Sequence, residues 1–356
     1  MAYITFNTDK LKYNYEFIDN LFTKNHIKWS VVTKLLCGSK PLLKALLDLG
    51  VQQVCDSRIS NLQTIKLIDE RVETIYIKPP AQNDIANVVR YADISMNTES
   101  HTIRLLSKEA QKQGKIHKII IMLELGELRE GVPQEKLLSF FEKVYQLKNI
   151  EIIGIGANLS CLYGVLPSNE KLQKLIDYKN RLEERFGHKV NYISGGSSVT
   201  LHLLLNNELP KEINHFRVGE TLFFGTDVYT GLELDELEND IFKLYCQIIE
   251  MSEKPMEPNG EFGTNLEGNT YEVNEEMVGK RGVRAIIDIG LLDVEPNHLR
   301  PKDKNITIVG ATSDMVVVNL DDTHSNYKVG DMIEFDLDYY STLKLLNSKY
   351  VEKRFS

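Results

Sequence analysis

Residues 29–34 read WSVVTK and are followed directly by LLCG, residues 35–38. The apolar run predicts a buried strand, and this strand closes on a lysine, Lys34. An ammonium group is costly to bury and is almost never hidden without a partner, so the position of this lysine needs an explanation. One alternative is that the side chain reaches the rim of the sheet and places its charge in water. The other is a catalytic lysine whose pKa falls in a pocket of low dielectric, so that the neutral amine forms a Schiff base with a carbonyl.

Strands and helices alternate on both sides of this stretch. Strands are predicted to begin near residues 29, 51, 74, 94, 117, 150, 190 and 215, and segments with apolar residues at helical spacing separate them. Eight such units favour a parallel sheet with right-handed crossovers and, over residues 1–235, a TIM-like (β/α)8 barrel of the α/β class. An open, doubly wound sheet competes with this prediction. It requires a glycine-rich turn after an early strand, and no G-x-G-x-x-G motif lies there.

The pattern changes after about residue 235. Five stretches read as strands with no helix between them, at residues 242–249, 283–289, 306–309, 315–320 and 332–337. Residues 236–356 are therefore predicted to form a C-terminal all-β domain. Residues 252–280 are rich in Glu, Pro, Gly and Asn and are predicted to form a long polar loop, a kind of segment that is usually functional or disordered.

Composition limits the partners and the compartment. The chain of 356 residues carries a formal net charge of −9 with both signs interspersed, which argues against a nucleic-acid partner. No run approaches the ~18 apolar residues of a membrane span, and no signal peptide is read at the N-terminus. The cysteines are far apart and form no C-x-x-C pair, so neither a metal site nor a disulfide framework is predicted. A cytoplasmic protein with reduced thiols is expected, and the cysteines concerned are Cys37, Cys55, Cys161 and Cys246.

Polar groups follow several of the predicted barrel strands. In a barrel of this kind the active site lies at the carboxyl ends of the strands, so groups that are far apart in the chain meet at one mouth. The candidates at such ends are Lys34, Glu124, Arg129, Asn158, Ser160, the GGSS turn at residues 195–198, Arg217, Gly219 and Glu220.

Two kinds of group at this predicted mouth suggest a cofactor. The GGSS turn can cradle a phosphate, because glycines admit close approach and helix amides and hydroxyls donate to an anion; it can also be an ordinary turn with a serine cap. Arg129 and Arg217 are either surface ion-pair partners, Arg217 with Glu220, or groups that hydrogen-bond a ring nitrogen or a carboxylate. Together with Lys34 these features suggest pyridoxal 5'-phosphate (PLP), with the lysine at the aldehyde and the cradle at the phosphate.

The stretches that carry a resemblance to a known family cover nearly the whole chain. They are residues 32–34, 55–62, 124–131, 154–159, 195–198, 213–220, 284–290, 310–314 and 348–351. With them the sequence resembles the alanine racemase-like PLP enzymes, which pair an N-terminal barrel with a C-terminal β domain. Within that group it looks most similar to the ornithine racemase branch.

The resemblance implies a role for each matching residue. Lys34 matches the lysine that forms the Schiff base with the cofactor. Arg217 matches the arginine that faces the pyridine nitrogen, and Arg129 matches an arginine near the phenolic oxygen. Asn158 falls where alanine racemases usually place a histidine against the ring. The positions that match the phosphate cradle are Ser197, Ser198, Gly219 and Glu220.

The sequence also departs from the family. Alanine racemases follow the lysine with a tyrosine that reaches the phosphate, and Gly38 stands at that spacing here; Tyr350 is a candidate substitute. Their second catalytic base is a tyrosine of the partner's C-terminal domain, and no tyrosine is found at the matching place. Asp288 and Asp314 are offered instead, although each also reads as a structural aspartate at the end of a strand. Further candidates for this base are Tyr339, Tyr340 and Cys161.

The reaction that the resemblance implies is the interconversion of L- and D-amino acids by two-base proton transfer at Cα, with Lys34 as one base. A basic substrate, ornithine or lysine, is expected. Its side-chain ammonium needs a carboxylate, and no spacing selects among the candidates, which include Glu127, Asp227 and Glu220. The resemblance also implies a homodimer in which the C-terminal domain completes the partner's site.

Two alternative functions keep the cofactor. The first is a PLP-dependent amino-acid lyase or decarboxylase, for which a metal-ligand cluster in the C-terminal domain would be a sign; only His298 and His324 are found there. The second is a non-catalytic PLP carrier. Such carriers are single barrels, so the added β domain argues against this second alternative.

Overall fold

The computed structural model describes residues 2–264, 268, 270–320 and 325–356. In these parts the helices are α1 (Thr8–Lys24), α2 (Lys40–Leu47), α3 (Ile59–Ile68), α4 (Ile85–Tyr91), α5 (Ser100–Lys112), α6 (Leu137–Val144), α7 (Asn169–Phe186), α8 (Leu201–Leu205), α9 (Glu220–Phe224) and α10 (Tyr339–Asn347). The strands are β1 (Tyr3–Phe6), β2 (Lys28–Val32), β3 (Gln53–Asp56), β4 (Glu73–Tyr76), β5 (Ile94–Asn97), β6 (His117–Met122), β7 (Ile150–Gly156), β8 (Tyr192–Ser194), β9 (Gly196–Ser197), β10 (His215–Val218), β11 (Thr226–Asp227), β12 (Leu232–Glu233), β13 (Phe242–Pro255), β14 (Arg281–Ile287), β15 (Leu299–Pro301), β16 (Thr307–Ala311), β17 (Val316–Asn319), β18 (Met332–Leu337) and β19 (Glu352–Phe355).

Strands β2 to β10 form one parallel sheet, in the order β8-β7-β6-β5-β4-β3-β2-β10-β9. The two end strands, β8 and β9, are separated in the chain by Gly195 alone, so the sheet closes on itself. The predicted (β/α)8 barrel is confirmed, with the two-residue strand β9 as an addition. A buried apolar cluster fills one face of the sheet, with Val32, Cys55, Ile75 and Ile120 among its members.

Local signals set the bounds of the helices between these strands. Helix α7 begins after Ser168, whose Oγ accepts a hydrogen bond from the backbone N–H of Lys171 at 3.2 Å. It ends at Gly187, which has a φ of 62°, in the left-handed region that favours glycine. Both signals are in the sequence, and the structure confirms them. Among the described helices, none joins sufficient length to the apolar character that a membrane crossing requires.

The chain divides into two compact units. One is Thr8–Asn239, which contains the barrel, and the other combines the N-terminal segment through Asn7 with Asp240–Ser356. The structure thus differs from the predicted boundary between residues 235 and 236. The barrel unit runs four residues further, and strand β1 belongs with the C-terminal residues. In that second unit β1 runs antiparallel to β13 and parallel to β19.

The second unit is built on an antiparallel sheet, with the strand order β15-β18-β13-β14-β17-β16. Strand β13 continues to Pro255, so the first residues of the predicted polar loop at 252–280 are part of a strand. The unit also contains one helix that the sequence analysis did not include, α10. Asp338 begins this helix with a capping box, in which its side chain and that of Ser341 bond each other's backbone N–H.

Candidate active site

Lys34 lies at the carboxyl end of β2, at the start of a short 3₁₀ helix, Lys34–Leu36. The strand itself ends two residues earlier, at Val32, and the side chain of Lys34 is exposed. The strand that was predicted to run to Lys34 therefore ends before it, and the exposed side chain agrees with the alternative in which it reaches the rim of the sheet. The ammonium group lies at the mouth of the barrel, where a solute can reach it.

The turn that carries Lys34 is held by a buried polar cluster. Thr33 precedes the lysine, and its hydroxyl donates to the carboxylate of Asp56 at 2.8 Å. The amide of Asn61 donates to both oxygens of this carboxylate at 3.1 Å. Burial raises the pKa of Asp56, while these hydrogen bonds act in the opposite direction. Residues 55–62 carry part of the family resemblance, but the resemblance implied no role for Asp56. The position of Asp56 at the end of a strand, close to Lys34, was the signal in the sequence that could have indicated one.

Asn61 also explains a departure from the family. Gly38 has a φ of 73°, and a Cβ at this position would lie 2.5 Å from Asn61 Oδ1. Both the backbone conformation and the space therefore favour glycine. A tyrosine at this spacing, as in alanine racemases, would not fit this chain.

Arg217, in β10, is buried rather than paired at the surface. Its Nη1 donates to the carbonyl oxygen and hydroxyl of Ser194, at 2.9 and 2.5 Å, and its Nη2 donates to the carbonyl of Ala157 at 2.9 Å. Burial lowers the pKa of Arg217, and the like charge of Arg129 contributes to this lowering. The ion pair with Glu220 that was one of the two alternatives is therefore not the role of this guanidinium, which is fixed by the ends of β7 and β8.

The hydroxyl that receives Arg217 begins a chain of hydrogen bonds through the barrel. Ser194 Oγ lies 2.7 Å from His215 Nδ1, and His215 Nε2 lies 2.9 Å from Gln53 Oε1. The amide of Gln53 then donates to Glu73 at 2.6 Å. Since a Gln Oε1 can only accept, His215 carries its proton on Nε2, and every bond in the chain points from Arg217 to Glu73. Burial lowers the pKa of His215 well below its usual value, so the imidazole is neutral.

The predicted phosphate cradle lies beside the strand that leads to Lys34. Ser198 Oγ accepts from the backbone N–H groups of Gly219 and Thr221, at 3.2 and 3.4 Å. With both acceptor positions of the oxygen engaged, its hydroxyl proton is left to donate. A Cβ added to Gly219 would come within 3.1 Å of the Cβ of Val32, so the cradle abuts the last residue of β2. Ser197 is half-buried, and its Oγ lies 3.5 Å from the hydroxyl of Thr200.

Two of the buried polar atoms at this end of the barrel that lack a partner among the described residues follow β7 and β10. They are the side-chain nitrogen of Asn158, which follows β7, and the hydroxyl oxygen of Thr221, in α9. An unsatisfied buried polar group costs about 1–3 kcal/mol, and such groups in proteins usually meet a ligand or water. Their presence here favours a site that receives a polar molecule.

Glu127 fixes a loop at the mouth of the barrel through hydrogen bonds to its side chain. Its buried carboxylate accepts hydrogen bonds from the backbone N–H groups of five residues of one loop, at 2.7–3.0 Å for four of them; the donors are Ser160, Cys161, Leu162, Tyr163 and Val165. Burial alone would raise the pKa of Glu127, but these hydrogen bonds outweigh it and lower the pKa to about 2. The hydrogen bonds from the loop thus engage the carboxylate oxygens of Glu127. The suggestion that Glu127 pairs with a substrate ammonium is therefore wrong.

Arg129 has the surface pairing that one of its two predicted alternatives described. Its guanidinium is exposed and bonds both oxygens of the neighbouring Glu130, with the Nη2 contact at 2.7 Å. Cys161 is exposed as well, and it accepts from Arg129, which raises the pKa of the arginine after the larger effect of Glu130. Both groups act electrostatically on Arg217, so the three lie in one region of the mouth.

The other two carboxylates considered for a substrate ammonium are placed differently. Asp227 is buried, and its Oδ2 lies 2.8 Å from His202 Nδ1 and 3.0 Å from the hydroxyl of Thr230. Asp227 is therefore engaged in the structure of the β11–β12 region. Glu220 is half-buried in the first turn of α9, directly after Gly219.

The remaining predicted site residues belong to the second unit. Asp288 follows β14, and its Oδ1 accepts from the backbone N–H of Gln247 at 2.7 Å. Asp314 is exposed in the turn between β16 and β17, where the Thr312 hydroxyl lies 3.3 Å from its Oδ1. Tyr350 is 75% exposed. The hydrogen bonds of Asp288 and Asp314 agree with the alternative that both are structural aspartates at the ends of strands.

Histidines of the second unit do not form a metal cluster in the described residues, and no group of three ligand side chains suited to a metal is found there. His298 bonds Asp338 at 2.8 Å, next to the ring of Tyr340, whose hydroxyl donates to Glu295 at 2.7 Å. His324 lies outside the described residues.

The barrel mouth fits PLP on its own geometry. An exposed lysine amine, a buried arginine, a hydroxyl and backbone cradle, and two polar atoms without partners all follow the strands at one end. The amine suits the aldehyde, the cradle suits the phosphate, and the unpaired donor of Asn158 suits a polar ring substituent.

Comparisons with known proteins agree with this geometry. Residues 6–227 match the family model described as alanine racemase, N-terminal domain. The chain is 38% identical over 351 residues to the ornithine racemase of Acetoanaerobium sticklandii, covering 98% of each chain. It is 29% identical over 347 residues to the lysine racemase of Thermotoga maritima, covering 98% of this chain and 96% of the relative.

A solved structure extends the likeness to the fold. The alanine racemase of Bartonella henselae with covalently bound pyridoxal phosphate aligns with a TM-score of 0.72 at 18% identity, covering 100% of this chain and 99% of that one. A match this distant in sequence supports the shared architecture of a barrel and a β unit. The family model itself covers well over half of the chain. The chain therefore belongs to the alanine racemase family, as its sequence predicts.

Proposed function

We propose that this protein is a PLP-dependent racemase that interconverts the L and D forms of a basic amino acid, ornithine or lysine. The observation that carries the proposal is the adjacency of the phosphate cradle and the strand of the predicted catalytic lysine. Gly219 packs against Val32, two residues before Lys34. The relatives named ornithine racemase and lysine racemase, each matched over nearly its whole length, support the reaction and the class of substrate.

In this proposal PLP supplies an aldehyde that joins amines and a ring that weakens the Cα–H bond of the attached amino acid. Lys34 would hold the aldehyde in the resting protein, and its amine would serve as the proton-transfer group on one face of Cα once a substrate is bound. Arg217, which its hydrogen bonds to Ser194 and Ala157 hold in place, would face the ring nitrogen. The hydroxyl of Ser198 would donate to the phosphate, and Ser197, Gly219 and Glu220 in the same region would complete the cradle.

The second proton-transfer group is expected to come from a set of five residues. Asp288, Asp314, Tyr339, Tyr340 and Cys161 are the candidates. Cys161 is the member of this set that lies in the barrel unit, exposed and close to Arg129. Tyr350 and Arg129 remain proposed cofactor contacts.

The proposal also includes a cytoplasmic homodimer. All four cysteines are free thiols, which suits a reducing compartment. A two-subunit active site would supply the second base from the partner, as the family resemblance implies. Sedimentation equilibrium of the cofactor-loaded protein tests this assembly, and a monomer with full activity would exclude it.

The test of the function begins with Lys34. After incubation with PLP and reduction with borohydride, mass spectrometry should find the cofactor attached to the peptide that contains Lys34. Lys34→Ala should lose this attachment and lower the racemisation of L-ornithine and L-lysine by about 10²–10⁴-fold or more, because it removes a catalytic acid–base group. The matched control is Lys40→Ala, an exposed lysine six residues away. Attachment to another lysine, or full activity of Lys34→Ala, would refute the proposal.

A further inference from the structure

The end of the barrel opposite the mouth contains a cavity of about 300 Å³. This volume lies at the lower limit of pockets that hold small molecules. Its walls come from the first residues of several strands and from α1, and they include Lys28, Trp29, Glu73, Tyr192, Asp19 and Tyr15. None of these six residues is a proposed catalytic or cofactor-binding group, although Glu73 also ends the hydrogen-bond chain that starts at Arg217.

Charges of both signs surround the cavity. The Lys28 ammonium is exposed, lies 5.5 Å from the centre of the Tyr192 ring, and forms no ion pair with any described carboxylate. Asp19 Oδ1 accepts from the indole N–H of Trp29 at 2.9 Å, and within the described chain its Oδ2 has no hydrogen-bond partner. The cavity therefore offers a cation and a carboxylate oxygen that do not neutralise each other.

Glu73 adds a second carboxylate to the same wall. Its Oε2 accepts a hydrogen bond from the side-chain amide of Gln53 at 2.6 Å. Its Oε1 lies 3.7 Å from the ammonium nitrogen of Lys118, which is a long contact for an ion pair. Both carboxylates thus keep acceptor capacity towards the cavity, because a carboxylate can accept about four hydrogen bonds.

Aromatic rings supply the rest of the lining. The rings of Tyr15 and Trp29 lie 5.4 Å apart, and both border the cavity with Tyr192. Such rings cover the apolar part of a ligand, and their faces attract cations.

We propose that this cavity binds a small zwitterion that has an ammonium and a carboxylate group, the chemistry of a free amino acid. Asp19 and Glu73 receive the ammonium, Lys28 receives the carboxylate, and the rings cover the remaining atoms. The site is separate from the catalytic mouth, since Lys28 and Lys34 lie at opposite ends of β2.

The chain provides its own probe for this proposal. Trp29 is its one tryptophan, so tryptophan fluorescence reports directly on the cavity. The protein is loaded with PLP and reduced with borohydride to block the mouth, and then titrated with L-alanine and L-ornithine. A saturable fluorescence change is expected with both amino acids. Propylamine and propionate, each with one of the two charges, should bind at least tenfold more weakly, because one charge-assisted bond is lost.

Two variants assign the contacts. Lys28→Met and Asp19→Asn should each weaken the binding of L-alanine tenfold or more; asparagine keeps an acceptor for the Trp29 indole, so the packing of the probe is preserved. Lys24→Met, at an exposed lysine of α1, is the matched control and should leave binding unchanged. The absence of a saturable change, equal binding of propylamine, or unaltered binding in both variants would overturn the proposal. The fluorescence is read without any racemase activity, so this result is independent of the proposed reaction.

Discussion

At the scale of single residues, buried histidines set how the barrel responds to acid. His117 is the first residue of β6, and its Nε2 lies 2.8 Å from the hydroxyl of Ser95. Burial lowers the pKa of His117 from 6.5 to about 4; the charge of Asp93 opposes this effect, and Lys115 adds a smaller contribution in the same direction as burial. Between these two pH values the unfolded chain binds a proton that the folded chain does not bind. The free energy of unfolding therefore falls as the pH drops through this range.

The expected loss due to His117 is about 1.4 kcal/mol per pH unit between pH 6.5 and 4. His117→Gln keeps a polar partner for Ser95 but cannot titrate. Urea unfolding, followed through Trp29, should show a smaller loss of stability between pH 7 and pH 5 for this variant than for the wild type. His101→Gln, at an exposed histidine of α5, is the control. An equal pH dependence in the wild type and His117→Gln would contradict the prediction.

The same scale shows which site residues the sequence could predict. Lys34 follows a strand with a clear apolar pattern, and Arg217 lies near the end of another such strand. Their position at the mouth of the barrel could therefore be predicted without knowing which distant residues they contact. The fate of Glu127 could not be predicted, because its five partners are backbone groups of a loop some 35 residues later. Asp288 likewise gives no local sign that its carboxylate is taken by the backbone of Gln247.

At the scale of elements, the mouth depends on the contact between two loops. Glu127 belongs to residues 124–131, and its carboxylate organises residues 160–165, next to Asn158. Its pKa of about 2 against a usual value of 4.5 corresponds to about 3 kcal/mol of stability at neutral pH. Because the pKa in the folded state is lowered, this contribution is present above pH 4.5 and is lost as the pH falls towards 2.

Glu127→Gln should loosen the loop at residues 160–165, because the amide keeps one acceptor oxygen and turns a donor towards the backbone N–H groups. At pH 7 we expect the amides of these residues to exchange hydrogen roughly 10–100 times faster, as mass spectrometry of the corresponding peptides can measure. Glu135→Gln, at an exposed glutamate, provides the comparison. Exchange at the wild-type rate in Glu127→Gln would show that the loop is held by other contacts.

The prediction of elements succeeded where the pattern is local. Except for β8, which is followed by β9, each barrel strand is followed by a helix, and the start and stop signals of α7 can be read in the sequence. Strand β1 has only four residues, and its partners Phe242–Tyr245 and Glu352–Phe355 are more than 230 residues away. No local pattern can reveal such a pairing, and for the same reason the division of the chain near residue 7 was not foreseen.

At the scale of the whole molecule, the two ends of the chain stabilise one unit together. Strand β1 lies between β13 and β19, and its side chains Ile4 and Phe6 are 1% and 2% exposed. The ring of Phe6 packs 5.2 Å from that of Phe242 and 5.9 Å from that of Phe355. A residue at the N-terminus is therefore part of the core of the C-terminal unit.

Phe6→Ala should consequently weaken the β unit and spare the barrel. Removing a buried phenylalanine costs about 3–5 kcal/mol through lost burial and the cavity left behind. Hydrogen exchange should accelerate in β13 and β19, at residues 242–255 and 352–355, while residues 117–122 of β6 keep the wild-type rate. Tyr13→Ala, which alters a tyrosine of α1 that is 53% exposed, should change neither region. Faster exchange in β6 with no change in β13 would assign the N-terminal strand to the barrel and contradict the division into units, because stability lost in one unit appears first in the amides of that unit.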